Sequence, residues 1–372
     1  MATVTKSKGL AGDHKVTAMA IAREIGLWEV GDEAITATEL EALSDEELAA
    51  RIDRIRVFAR TSPEQKLRIV RAFKLAHHIV AMTGDGVNDA PALKEAHIGI
   101  AMGKSGTEVA RQAADIVLAD DDFVTIVDAV HEGRAIFRNI QKFVFFLLSS
   151  NAGLALAVFA ISFSASWLPL TPLMILWINL VTNGLPALAL GIDPPDPNQM
   201  VERPLRANEP LFGGRDLLGL VFVGVVMAAG ALAMYAWNWC EHGSGSQGPR
   251  TLAFMVLALG PLLHAWSCRS PSLSIVRARP LVSLPLLLAV VLSGAIQFVA
   301  VLIPSLRPVF RTDALTTHDW IMVAVAAFAV VPAVELAKAV ARAHHGGDRG
   351  RREPMPLEAQ PSSKLGNAAI PP

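Results

Sequence analysis

The chain has 372 residues; 52% are hydrophobic, only 18% are charged, and the formal net charge is −1. A soluble domain carries about 25% charge, and a near-neutral chain lacks the basic footprint that nucleic-acid binding requires. Two cysteines, Cys240 and Cys268, make no disulfide framework.

The charge deficit is uneven. Residues 1–130 hold most of the Asp and Glu, whereas 140–340 is mostly Leu, Val, Ala, Phe and Ile. This predicts a soluble head followed by a membrane body. The opening segment MATVTKSKGLAGDHK has no apolar core and is no signal peptide. Within the head, short apolar runs at 54–59, 78–83, 98–102 and 114–119 predict strands, and 63–76 and 90–96 predict helices. Strands alternating with helices predict a parallel, Rossmann-like α/β sheet, with too few strands for a complete large domain. The stretch TVTKSKGL is too polar to be read as a strand.

Six apolar segments follow, near 138–163, 170–191, 216–237, 251–267, 281–303 and 320–341. Each is long enough to cross a bilayer core of about 30 Å, and the near absence of internal charge argues against buried soluble helices. Glu335 and Lys338, three residues apart near one end of the last span, predict a snorkelling ion pair. With a cytoplasmic head, the loops 192–215 and 268–280 and the tail are cytoplasmic too. They carry Arg203, Arg206, Arg215, Arg269, Arg277, Arg279, Arg349, Arg351 and Arg352, against Arg250, Arg307 and Arg311 on the other side. That asymmetry fits the positive-inside rule. Residues 344–372, rich in Gly, Pro, Arg and Ser, are expected to be a disordered cytoplasmic tail, with His344 and His345 as a solvated pair.

The most informative stretch is AMTGDGVNDAPALKEAHIGIAMG, 81–103. An apolar strand runs into Thr83-Gly84-Asp85-Gly86-Val87-Asn88-Asp89, and carboxylates at the C-terminal end of a parallel strand stand where α/β sheets bind ligands. Asp85 and Asp89 are hard oxygen donors suited to Mg²⁺, and Asn88 adds an amide for a phosphate oxygen or a neighbouring carboxylate. Gly84 and Gly86 are expected to permit a tight turn, and Pro91 fits the first turn of the next helix.

The run TGDGVNDAP (83–91) resembles the hinge motif of the P-type ATPases. Phe58-Ala59-Arg60 with Pro63-Glu64-Gln65-Lys66 resembles the family's FAR…P..K segment, which implies that Lys66 contacts an aspartyl phosphate. Gly12-Asp13 resembles the family's TGD segment, with Ala11 in place of Thr; Asp13 is implied near the phosphate, positioning the hydrolytic water. Thr83 and Gly84 join these as implied catalytic residues. The family's nucleophile is the Asp of DKTGT, and this chain contains no Asp-Lys dipeptide. Asp120 and Asp122 in IVLADDDFVT loosely fit a haloacid-dehalogenase nucleophile pattern, but the family has an acidic run here leading into its fifth helix, so a helix-capping turn is expected.

Residues 133–159 resemble the family's fifth membrane helix with its stalk, and 170–196 resemble the sixth. Asn179, Thr182 and Asn183 lie at i, i+3 and i+4, on one helix face. Gly184 and Pro186 follow and are expected to loosen the helix and free carbonyls for a cation, with Asn151 completing part of the cluster. Interhelical hydrogen bonding is the competing reading. Calcium pumps carry carboxylates where this chain has Leu154 and Asn183, which puts calcium in question. His264, in a segment resembling the eighth helix, is read as facing the bundle or as a packed core residue.

The resemblance thus implies a partial HAD-like phosphorylation domain (1–130) and a six-helix transmembrane bundle (131–343) of a multi-pass protein of a bacterial plasma membrane. Implied cofactors are Mg²⁺ and, for a complete pump, ATP as substrate; implied partners are membrane lipid, a transported cation and the missing N-terminal half. Four readings stay open: a pump fragment, half of a split pump, a non-catalytic membrane subunit, and a phosphatase using Asp120.

Overall fold

A computed structural model describes residues 9–11, 15–164, 170–195, 199–200, 210–242, 246–270 and 283–349. It forms two compact units, Met1–Arg138 with Pro194–Gly213, and Asn139–Asp193 with Gly214–Pro372.

In the first unit, β1 (Gly9–Ala11) leads to α1 (Lys15–Glu24), β2 (Glu33–Thr36), α2 (Ala37–Glu41), α3 (Asp45–Arg51) and β3 (Ile55–Ala59). Then come α4 (Pro63–Leu75), β4 (Ala81–Gly84), α5 (Ala90–Glu95), β5 (Ile98–Met102), α6 (Glu108–Ala113) and β6 (Ile116–Leu118). All strand pairs are parallel, as expected, but they form two three-stranded sheets, β1-β3-β2 and β4-β5-β6, where the sequence reading anticipated one. The polar opening segment also contributes a strand after all: Gly9–Ala11 pairs with Val57–Ala59. A three-residue strand draws its stability from the neighbour's backbone, so side-chain polarity is a poor guide to it.

The helix starts are written locally. Thr36 with Glu39, Ser44 with Glu47, and Ser62 with Gln65 each close a reciprocal capping box at the head of α2, α3 and α4. Leu40, Leu48, Ile52, Ile55, Phe58 and Ile69 make one apolar core, on the β1-β3-β2 sheet; Met82, Leu93 and Ala101 anchor a second, on β4 and β5. Arg56, 1% exposed, is held on Asp32 by two hydrogen bonds of 2.8 and 3.0 Å.

The second unit is helical. α7 (Phe123–Ser164) begins in the first unit and runs unbroken into the first membrane-length stretch. α8 (Pro172–Trp177), a π-helical turn (Ile178–Thr182) and α9 (Gly184–Gly191) form the second span. α10 (Gly214–His242), α11 (Gly248–Cys268) and α12 (Leu284–Leu302) are the next three; α13 (Arg307–Phe310) is a short connector. The sixth span is α14 (Thr317–Phe328) continued by α15 (Val330–Arg349). The break falls where Pro332 withholds the N–H that Phe328 would receive. α15 runs past residue 344, where the tail was expected to begin; residues 350–372 lie outside the described residues, as do the side chains of His344 and His345.

Among the described residues, six helical spans are therefore long and apolar enough to cross a membrane. α11 is the central one: 83% of its apolar window is buried, against 22–44% for the others. Asp193, after α9, is 4% exposed and ties the ends of α9 and α11 to the middle of α7, accepting from Lys142 of α7 at 2.9 Å and from Arg269 beyond α11 at 3.2 Å. α7 and α10 touch through glycine: a Cβ on Gly224 would lie 3.0 Å from that of Ala152 and 3.2 Å from the Gly153 nitrogen. Small residues at such crossings let backbones approach. Gly224→Leu is expected to force these helices apart and lower the melting midpoint of the detergent-solubilised chain, whereas Leu218→Ala on the exposed face of α10 leaves it unchanged.

Candidate functional site

Of the residues singled out in the head, Lys66 of α4 and Asp89 of the loop after β4 come together. Ser62 caps α4 and so presents Lys66 one turn in; its Nζ donates to Asp89 Oδ1 at 2.5 Å. Asp89 is 6% exposed and its second oxygen accepts the Gly86 N–H at 3.3 Å. Both of its oxygens are thus engaged. Asp85, by contrast, is exposed, and its carboxylate makes no hydrogen bond among the described residues. Its backbone carbonyl accepts the Thr107 N–H at 2.8 Å, which fixes the loop from behind. Asn88 is exposed on the short 3₁₀ turn Val87–Asp89, and Thr83 sits on β4 opposite Ile100. Asp13 lies outside the described residues.

Gly84 and Gly86 serve differently from expectation. Among the described glycines only Gly26 and Gly31 have positive φ. Gly84 is needed for space, because a Cβ there would lie 2.5 Å from that of Asp89. The donor set fits Mg²⁺: one open carboxylate, Asp85, at a strand end, with Asp89 and Lys66 beside it. Mg²⁺ takes one or two protein carboxylates and fills its shell with water and phosphate oxygens. No cluster of three or more His, Cys, Asp or Glu side chains is found among the described residues.

The acidic run 120–122 is structural. Asp120 accepts the Thr125 hydroxyl at 2.7 Å and the Asp122 N–H at 3.2 Å, and these two bonds, the hydroxyl first, hold its carboxyl below the usual carboxylate range. Asp122 accepts the Val124 N–H at 2.9 Å, capping α7. Asp121, missed by the sequence reading, takes φ +62° and turns its carboxylate into three backbone N–H groups. These belong to Gly103 (2.7 Å), Lys104 (2.9 Å) and Ser105 (2.7 Å). The Lys104 N–H foremost, with Ser105 and Gly103, pulls its pKa down to about 2.

In the membrane unit, Asn179, Thr182 and Asn183 fall on the π-helical turn, where the Asn183 N–H reaches back five residues to Ile178 O at 2.8 Å. Pro186 has no N–H, so the Thr182 carbonyl loses its usual donor four residues on. Thr182 and Asn183 are 0% and 1% exposed. Asn183 Nδ2 and Oδ1, and Asn179 Oδ1, are buried without a partner among the described residues. Each such atom costs roughly 1–3 kcal/mol, and wide turns of this kind concentrate at functional sites.

Asn151 does not join the cluster; it is exposed, and its neighbour Ser150 carries the buried, unpartnered hydroxyl. The sequence reading also missed Ser293 and Gln297 of α12. Ser293 Oγ donates to Val181 O at 3.2 Å; Gln297 Oε1 accepts from Trp177 Nε1 at 2.9 Å and Thr182 Oγ1 at 3.3 Å. They are the polar side chains of an otherwise apolar span, four residues apart, and that was the available signal. His264 is 1% exposed, with Ser149 Oγ 3.2 Å and Cys268 Sγ 3.1 Å from its Nε2. Glu335 and Lys338 pair at 3.1 Å, and Lys338 also donates to Ser267 O at 2.6 Å, so the pair is packed in rather than snorkelling freely.

The chain thus carries a loop with two aspartates at the end of a parallel strand and, among the described residues, six membrane-length helical spans. The chain belongs to the P-type cation-transporting ATPases. Residues 167–340 match the family model for the cation transporting ATPase C-terminus, and residues 6–97 match that for haloacid dehalogenase-like hydrolases. The chain is 44% identical to calcium-transporting ATPase 1 of Bacillus cereus over 84% of its own length and 37% of that protein's. It is 41% identical to the calcium-transporting ATPase of Bacillus subtilis (86% of this chain, 36% of that one). Against the probable cation-transporting ATPase F of Mycobacterium tuberculosis the identity is 39% (88% and 36%). It therefore spans little more than a third of the length of these relatives.

Because the Asp121 carboxyl is held near 2, below its unfolded value of about 4, its contribution is present above that unfolded value and is lost as pH falls through about 2. Amide exchange at Gly103, Lys104 and Ser105 is expected to accelerate across that window, and Asp121→Asn to show fast exchange already at pH 7. Lys66→Ala, which strips the buried Asp89 of its cation, is expected to destabilise the head by roughly 1–3 kcal/mol, read by urea unfolding followed at Trp28.

Proposed function

We propose that this chain is the C-terminal portion of an ATP-driven cation pump, carrying its Mg²⁺-and-phosphate hinge and half of its membrane cation site. The observation that carries the reading is the Lys66–Asp89 ion pair beside the open Asp85 carboxylate. It joins two segments 23 residues apart that the family resemblance assigns to one phosphate site. In this reading Lys66 faces the phosphoryl group as a point charge, Asn88 orients a phosphate oxygen, and Asp85 holds Mg²⁺, with Asp89 fixing Lys66. The metal would offset phosphate charge there. Asp13 positions the water that removes the phosphate. Asn179, Thr182 and Asn183 take the transported cation.

The nucleophile would come from outside this sequence, which has no Asp-Lys dipeptide. The division of six parallel strands into two sheets supports this reading, since a parallel sheet lacking an internal strand would part in this way. The full engagement of Asp120 disfavours a stand-alone phosphatase built on it. Head and tail are read as cytoplasmic from the arginine distribution.

Acid-stable ³²P labelling from γ-labelled ATP tests the proposal, on membranes holding this chain with and without the polypeptide encoded immediately upstream. The expected result is label on the second polypeptide only when both are present, abolished by Asp85→Asn in this chain. Vanadate-sensitive ATP hydrolysis by this chain alone would overturn it, and no label in either membrane would favour the non-catalytic membrane subunit.

A further inference from the structure

We propose that Gln297 is a positioning residue of the membrane cation cluster: it accepts the hydrogen bond of the Thr182 hydroxyl and thereby leaves the lone pairs of the Thr182 oxygen free to coordinate a cation. The proposal rests on the reading of the π-helical turn as part of a cation site, and it adds a wall, α12, that no feature of the family resemblance supplies.

Gln297 is 0% exposed in a helix whose other side chains, Ser293 apart, are apolar. Burying a carboxamide in a bilayer-spanning helix is costly unless its groups are paired, and here they are. Oε1 accepts from Trp177 Nε1 at 2.9 Å and Thr182 Oγ1 at 3.3 Å, and Nε2 faces Met255 Sδ at 3.3 Å. The indole N–H can only donate. It therefore fixes which end of the carboxamide faces the turn, and the end facing Thr182 is the acceptor.

A hydroxyl has one proton and two lone pairs. Thr182 directs its proton to Gln297, so what it can offer in any other direction is oxygen lone pairs. That is the state a hydroxyl must adopt to ligate a cation, whose field repels the proton. The next polar groups along the turn are the Asn183 carboxamide and Asn179 Oδ1, buried and unpartnered. One turn earlier on α12, Ser293 donates to Val181 O and ties down the same irregular backbone. Two residues of one helix face, i and i+4, thus secure the carbonyl and the hydroxyl on either side of one peptide link.

The test is isothermal titration of the purified full chain in nanodiscs with CaCl₂, NaCl and KCl. Gln297→Leu removes the acceptor while keeping a comparable volume. It is expected to weaken binding of the cation that the wild-type chain takes by roughly three- to tenfold, the loss of one oriented hydrogen bond. Gln297→Glu keeps acceptor oxygens toward Trp177 and Thr182 and is expected to restore affinity. Thr182→Val should weaken binding comparably, and Gln297→Leu should add nothing in the Thr182→Val background. A purely structural role would instead give additive losses and no rescue by Glu. Wild-type affinity in Gln297→Leu, or full additivity with Thr182→Val, overturns the proposal. If none of the three cations binds the wild-type chain, or if Asn183→Leu leaves binding unchanged, the reading of the turn as a cation site falls first, and the role of Gln297 with it.

Discussion

A bilayer interior offers no hydrogen-bond partners, so every peptide group that crosses it has to be paired inside the protein. The second span of this chain strains that constraint. It opens into a π-helical turn at Ile178–Thr182 and then meets Pro186, which removes a donor from the turn below. Irregular backbone at that depth survives only where protein covers it, and the rest of the bundle is arranged to do so. α11 is buried along most of its length, and α12 brings Ser293 and Gln297 to the turn. The Asp193–Lys142–Arg269 cluster ties the ends of α9 and α11 to the middle of α7. The broken span is thus the feature the bundle is built around.

The head obeys a different constraint, that of a buried charge. Asp89 is almost fully enclosed, and an enclosed carboxylate persists only with a partner. Lys66 supplies it from α4, and the capping box at Ser62 sets where along the helix that lysine emerges. Gly84 is glycine because Asp89 packs against it. The consequence is a division of labour between two carboxylates four residues apart. Asp89 is committed to the protein, while Asp85 projects from the strand end with its carboxylate open among the described residues.

Much of this was legible in the sequence, for identifiable reasons. Strands β3 and β5 and helices α4 and α5 were found nearly to the residue because apolar runs and helical periodicity coincide with turn signals there. The six spans follow from length and hydropathy alone. The local capping boxes Thr36–Glu39 and Ser44–Glu47 mark α2 and α3 just as clearly, yet these helices, with β2, were left unread because each is too short to show periodicity. The division into two sheets was not legible, since periodicity predicts strands but not their neighbours. Asp121 was obscured by its neighbours: three consecutive aspartates read as one capping feature, whereas the positive φ of the middle one sends it to a different loop. Asn151 and Ser150 show the limit of helix-face arguments, because a shift of one position, about 100°, decides which of two adjacent polar residues is buried.

The chemistry of the membrane cluster turns on charge. Asn179, Thr182, Asn183 and Gln297 all carry neutral polar side chains, and Leu154 packs into the apolar core of the bundle. Neutral oxygens replace a hydration shell but do not offset a net charge, and in a low-dielectric interior the uncompensated part of a divalent ion's charge is costly. A site assembled from these residues alone therefore suits a singly charged cation better than a divalent one. A divalent cargo would require at least one carboxylate from a helix outside this chain.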